Sequence, residues 1–272
     1  MHPLYRITHL GRPLEPRYAT NRATLILMGI AFVAGAVQAW LTGGGVLAAL
    51  AAGALAMLTV FFTWALGREL APDDNPAAFI GVALSAIAWV ALGRPDVLLV
   101  ATAVGFSRLT ARTVGEPCMM RDTVLVVVLA TALTLWLGKT AIGIGAALAL
   151  ALDALLPSPR RLHLPLALVP VTGVVVHLAR HGLDRHPLGA WRWAFGALTA
   201  VTMALIVAYP KPQSTCDMQH EPLHLRRLQS GVFVTGVMAL WSTLVEPPAA
   251  AAPLWAALAG VALGRLAAVV RA

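Results

Sequence analysis

Residues 46–66 read VLAALAAGALAMLTVFFTWAL and pass without a break into Gly67, Arg68, Glu69, Leu70, Ala71, Pro72, Asp73, Asp74, Asn75 and Pro76. About twenty apolar residues in a helix cover about 30 Å, the thickness of a bilayer's hydrocarbon core. A stretch of this length with no charge is a membrane span, and the abrupt Arg-Glu end marks where the chain leaves the lipid. The same alternation of apolar run and short polar loop recurs along the whole chain.

Ten such runs are present: 23–41, 46–66, 77–92, 97–107, 123–137, 140–156, 164–178, 190–209, 228–245 and 254–270. The expected architecture is all-α, a polytopic integral membrane protein of about ten transmembrane helices with short loops, forming one domain over 23–270. The third and fourth runs are short and meet at Gly93, Arg94, Pro95 and Asp96, so residues 77–107 form either two spans or a re-entrant hairpin. Composition agrees with the membrane reading. The 272 residues are 59% hydrophobic and 12% charged with a mean hydropathy of +0.78, against about 45–50% apolar and 25% charged in soluble domains.

The net charge of +8 invites a nucleic-acid reading, but the Lys and Arg residues sit between apolar runs and form no basic helix or zinc-finger pattern. They follow membrane topology instead. With ten spans, fifteen of them (among them Arg12, Arg68, Arg108, Arg112, Arg160, Arg227 and Arg265) fall on the side of both termini. Five, Arg94, Lys139, Arg180, Arg185 and Arg192, fall on the other. The positive-inside rule then places both termini in the cytoplasm of a bacterial inner membrane. Residues 1–22 are expected as an uncleaved cytoplasmic tail, because the following apolar run is too long for a signal peptide. Cys118 and Cys216 would face the reducing side, and two cysteines build no disulfide framework.

Small residues should mediate helix packing, with Gly260 and Gly264 as a GxxxG step that serves packing within the monomer. Pro165 and Pro170 should bend the seventh span. Trp40, Trp64, Trp89, Trp136, Trp191 and Trp193 lie near span ends as interfacial anchors do.

Ionisable groups are scarce inside the runs, which removes the usual central carboxylate of ion-coupled transport. The densest polar constellation is instead on the basic side: Glu69, Asp73 and Asp74 after the second span, then Arg108, Arg112, Glu116 and Asp122 after the fourth. The two loops echo each other at a spacing of about 45 residues, a loose hint of an internal repeat. Adjacent carboxylates can hold Mg²⁺, and two arginines one turn apart can clamp a phosphate. The plainer reading, preferred here, makes Asp73 or Asn75 the N-cap of the third span with Pro76 at its first position, and leaves the arginines to pair with carboxylates or headgroups.

His220, Glu221 and His224 match HExxH, the zinc-protease pattern that needs a continuous helix. Pro222 interrupts it, so a helix starting there would exclude His220. Cys216 extends the set to CxxxHxxxH, and the loop is read as solvated, these residues being weak metal candidates at most.

Three functions are compatible with this pattern. The first is transport or permease-like handling of a small neutral or lipidic solute. The second is a membrane enzyme acting on a prenyl or lipid phosphate, for which alone Mg²⁺ would be the cofactor. The third is a noncatalytic scaffold that works with a membrane partner subunit. The bilayer is the common partner, and nucleic acid is not.

Overall fold

The computed structural model describes residues 3–183, 189–208 and 211–271. Among them ten α-helices follow a short 3-10 turn at Pro3–Arg6: α1 (Ala19–Leu41), α2 (Val46–Leu70), α3 (Asn75–Leu92), α4 (Val97–Ala111), α5 (Met120–Leu137), α6 (Thr140–Leu155), α7 (His163–His181), α8 (Ala190–Val207), α9 (Leu225–Val245) and α10 (Pro248–Arg271). Seven of them, α1, α2, α3, α5, α7, α9 and α10, are long and apolar enough to cross a membrane. Part of the Arg180–Pro187 loop, including Arg185, lies outside the described residues.

The two short helices α4 and α6 have an internal position that explains their length. At 1.5 Å per residue, fifteen residues of α4 span about 22 Å, less than a hydrocarbon core. Leu99, Val100, Ala103, Val104 and Leu109 of α4, and Ala141, Ile142, Ala146, Ala149 and Leu150 of α6, are fully or almost fully buried. At the start of α4 the Asp96 carboxylate accepts from the Leu98 N–H at 2.9 Å, which satisfies one of the helix's unpaired end groups. The Gly93–Asp96 turn nevertheless reaches the level of the other turns at its end. Asp96 donates its backbone N–H to the Ala250 carbonyl at 3.4 Å and lies 2.7 Å from Lys139 Nζ, which also binds Glu246 Oε2 at 2.9 Å.

Among the seven long apolar helices α10 is the most enclosed, with 78% of its apolar stretch buried, and α1 the least, with 17%. An alanine-rich helix packs this closely because it brings little side-chain bulk to the interface. The GxxxG step serves that contact: a Cβ on Gly260 would collide with the Ala77 carbonyl and the Gly81 backbone of α3, and one on Gly264 with the Asp74 carboxylate.

Several boundaries differ from the sequence reading. α2 continues to Leu70 and stops at Ala71 before Pro72, so Arg68 and Glu69 are helical. The α3 cap is Asp74, whose Oδ1 accepts from the Ala77 N–H at 3.2 Å, rather than Asp73 or Asn75, and Pro76 follows Asn75 instead of opening the helix. α9 starts at Leu225 with His224 as N-cap, after an isolated bridge between Thr215 and Pro222, so no helix carries the HExxH residues. Trp64 is not an interfacial anchor but a buried residue at 8% exposure, whereas Trp40 and Trp136 are 58% and 83% exposed.

Candidate functional site

Every loop that the charge count placed on the basic side gathers at one end of the bundle, and the N-terminal segment lies across them. Tyr5 donates its hydroxyl to Asp217 Oδ2 at 2.8 Å, and His9 donates its backbone N–H to Asp122 Oδ2 at 2.9 Å. The Leu10 carbonyl accepts from Arg108 Nη1 at 2.8 Å. Segment 3–18 is thereby fastened to the ends of α4 and α5 and to the loop before α9.

Glu69 is the centre of this arrangement. Its side chain is 1% exposed, and Oε1 accepts from Arg108 Nε at 2.8 Å and from Arg12 Nη1 at 3.4 Å, while Oε2 accepts from the Thr113 hydroxyl at 2.6 Å. Arg12 uses its remaining nitrogens for a bidentate grip on Asp217, at 2.7 and 2.6 Å. Burial alone would ease the proton off Arg12, but the two carboxylates overcome it and hold the guanidinium charged. Burial and the Asp217 carboxylate together push the Tyr5 phenol well above its usual range.

The other expected site residues are dispersed. Asp73 accepts from the backbone N–H groups of Gln213 and Ser214 at 3.0 and 2.7 Å and from the Ser214 hydroxyl. Asp74 caps α3, and the Arg265 charge lies within electrostatic reach of both. Asp122 accepts from the Met119 and His9 backbones and so closes the first turn of α5. Glu116 accepts from the Gln219 amide at 2.7 Å at the surface. The echo between the two loops therefore carries no matching geometry, because Glu69 is buried in an ion pair and Glu116 is not.

Arg108 and Arg112 also part company. Arg112 is the left-handed C-cap of α4, with φ of 50°, and turns its guanidinium away from Arg108 onto Asp153, with Nε and Nη2 each 2.9 Å from a carboxylate oxygen. Arg227 reaches the same Asp153 at 2.7 Å, and His163 places Nδ1 2.9 Å from it and Nε2 2.9 Å from the Thr123 hydroxyl. The guanidiniums also cap the carbonyls of Thr110, Pro157 and Ser158. This second cluster fastens α4, α6, α7 and α9 together at their ends. His220, Glu221 and His224 form no group with metal-binding geometry among the described residues.

Beside the Glu69 cluster opens a cleft of about 900 Å³, at the upper end of the 300–1,000 Å³ common to small-molecule sites. Leu14, Tyr18, Phe61, Trp64 and Ala65 form an apolar wall, and Arg12, Arg68, Glu69, Arg108 and Asp217 form a polar floor. The buried indole N–H of Trp64 has no acceptor among the described residues. A smaller recess of about 340 Å³, lined by Thr113, Gln213, Ser214, Thr215 and Leu223, adjoins the cleft and shares Arg12 and Arg68 with it. Arg68 donates to the Pro72 carbonyl at 3.1 Å and to the Asn75 side-chain oxygen, and no described carboxylate lies within 4 Å of it. In the sequence Phe61 reads only as a span residue and Trp64 as an interfacial anchor. The tertiary fold makes them a wall, by setting segment 12–21 opposite them. No protein-family model matches the chain, and comparison with curated proteins and with solved structures finds no match.

Proposed function

We propose that this is a multi-pass membrane protein that admits a lipidic solute into the cleft at its basic end and handles it in a transport or permease-like manner, with that end in the cytoplasm of a bacterial inner membrane. The observation that carries the reading is the cleft itself. An apolar wall made by α2 and the segment leading into α1 adjoins a charged floor, which suits a molecule with an apolar body and a polar end. The wall is built by Phe61, Trp64 and Ala65 of α2 with Tyr18, the N-cap of α1, the least buried of the seven long apolar helices, so a solute has a short route between cleft and surrounding lipid.

The enzyme reading receives less support from the same residues. Glu69 is engaged by two arginines and a hydroxyl, Asp73 by a loop backbone and Asp74 by a helix end. A divalent cation would have to displace these donors from three carboxylates that serve different elements.

The test is movement of a fluorescent single-chain lipid across the bilayer of proteoliposomes, read by chemical quenching of the outer leaflet. The protein should raise the rate above that of empty vesicles, and Thr20→Trp, which fills the cleft from α1, should return it to background. Equal rates with and without protein would remove the proposal.

A further inference from the structure

The cleft has a charge imbalance that specifies its ligand more narrowly. Of the cations on its floor, Arg12 is divided between Glu69 and Asp217, and Arg108 between Glu69 and the Leu10 carbonyl. Arg17, at the rim, is paired with Glu15 at 2.5 Å. Arg68 is different: its described hydrogen bonds go only to neutral oxygens of Pro72 and Asn75, both through Nη1. It is half-buried, and it forms part of the wall between the large cleft and the small recess. A guanidinium in that setting has Nε and Nη2 left to offer, and its fork geometry matches an oxyanion.

We infer that the cleft binds an anionic single-chain amphiphile, its phosphate or carboxylate headgroup on Arg68 and its chain along Phe61 and Trp64. This deepens the lipidic-solute reading and rests on it. A free inorganic anion would gain the Arg68 contact but leave the apolar wall empty. A neutral lipid would fill the wall but bring no oxyanion to Nε and Nη2 of Arg68. Only a molecule with both parts uses both features.

The experiment is native mass spectrometry of the full chain in neutral maltoside micelles, counting adducts with dodecyl phosphate, inorganic phosphate and monoolein in turn. Dodecyl phosphate should bind. Arg68→Gln should lower its occupancy about tenfold or more, the factor expected for one charge-assisted hydrogen bond. Arg68→Lys, which keeps the charge but loses the fork, should fall between the unaltered protein and Arg68→Gln, and Arg161→Gln, which removes an exposed charge from the same end, should change nothing. Equal loss in the Arg161 variant, or binding of inorganic phosphate as strong as that of dodecyl phosphate, would overturn the inference. If only monoolein binds, the anionic headgroup is wrong while the lipidic-solute reading stands. If neither amphiphile binds, both fall. Should Arg68→Gln not fold, a diazirine-bearing dodecyl phosphate on the unaltered protein decides the matter. Label on 12–21 and 61–68 supports the site, and label confined to the outer faces of α5 and α7 refutes it.

Discussion

Arg112 at the end of α4 grips both carboxylate oxygens of Asp153 on α6, although 41 residues separate them. The pair is almost inaccessible, with side-chain exposures of 7% and 1%, and Arg227 of α9 and His163 of α7 close on the same carboxylate. Four helices thus share one anion. Removing a single partner from a buried pair leaves an uncompensated charge, at a cost of about 3–5 kcal/mol. Asp153→Ala, which strands two guanidiniums, should lower the thermal unfolding midpoint in detergent far more than His163→Ala, which leaves both ion pairs intact. Equal small shifts would show that the cluster contributes little.

Glu69 fastens a different element. Its partners Arg12 and Arg108 both hold the N-terminal segment, one directly and one through the Leu10 carbonyl. Glu69→Gln keeps the shape and removes the charge, so segment 8–14 should loosen while the helices stay folded. Hydrogen exchange of the peptide containing His9 and Leu10 is the measurement. It should accelerate about tenfold or more, the equivalent of one charge-assisted hydrogen bond lost. Unchanged exchange there would mean that the His9–Asp122, Tyr5–Asp217 and Arg12–Asp217 contacts hold the segment without the Glu69 charge.

The α3–α10 seam offers a packing test. Gly260 meets the Ala77 carbonyl and Gly81 with no room for a Cβ, while Gly29 on α1 has open space around it. Gly260→Leu should destabilise by at least the 1–3 kcal/mol typical of overpacking, because backbone must move to accept it. Gly29→Leu should be neutral or mildly stabilising, since leucine is the better helix former by about 1 kcal/mol. Matching unfolding midpoints for the two variants would contradict the seam.

These features differ in how far the sequence reveals them. Ten apolar runs correspond to ten helices because each run must bury or expose its apolar face as a unit. Their ends are harder to read. Arg68, Glu69, Arg108 and Arg227 sit inside helices that an apolar count stops short of. The charges of Glu69, Arg108 and Arg227 are tolerated there because Arg12, Asp153 and backbone carbonyls satisfy them. Glu69 and Arg108 stand out as polar residues beside spans, so the centre of the cluster is legible. Arg12, Asp217 and Trp64 are not. The Arg12–Asp217 pair spans 205 positions, and nothing local distinguishes Arg12 from the topology-setting arginines around it. His163 and Arg227 likewise resemble ordinary residues of helix ends until the fold brings them to Asp153.

Asp73 supplies a pH test outside the spans. Burial would raise its pKa, but the Ser214 hydroxyl and the Gln213 and Ser214 N–H groups more than offset this and hold the carboxyl below its ordinary 3.8. A carboxylate with a lowered folded value binds fewer protons in the folded than in the unfolded state between the two pKa values. Its contribution is therefore fully present above the unfolded value and is lost as pH falls through the lower folded one. The loop at 211–214, which lines the small recess through Gln213 and Ser214, should stay docked at neutral pH and loosen only in strong acid. Asp73→Asn should lower the unfolding midpoint by a constant amount above about pH 5, with the gap to the unaltered protein narrowing as the wild-type carboxylate is protonated. A gap that widens toward low pH would reverse the sign and refute the assignment.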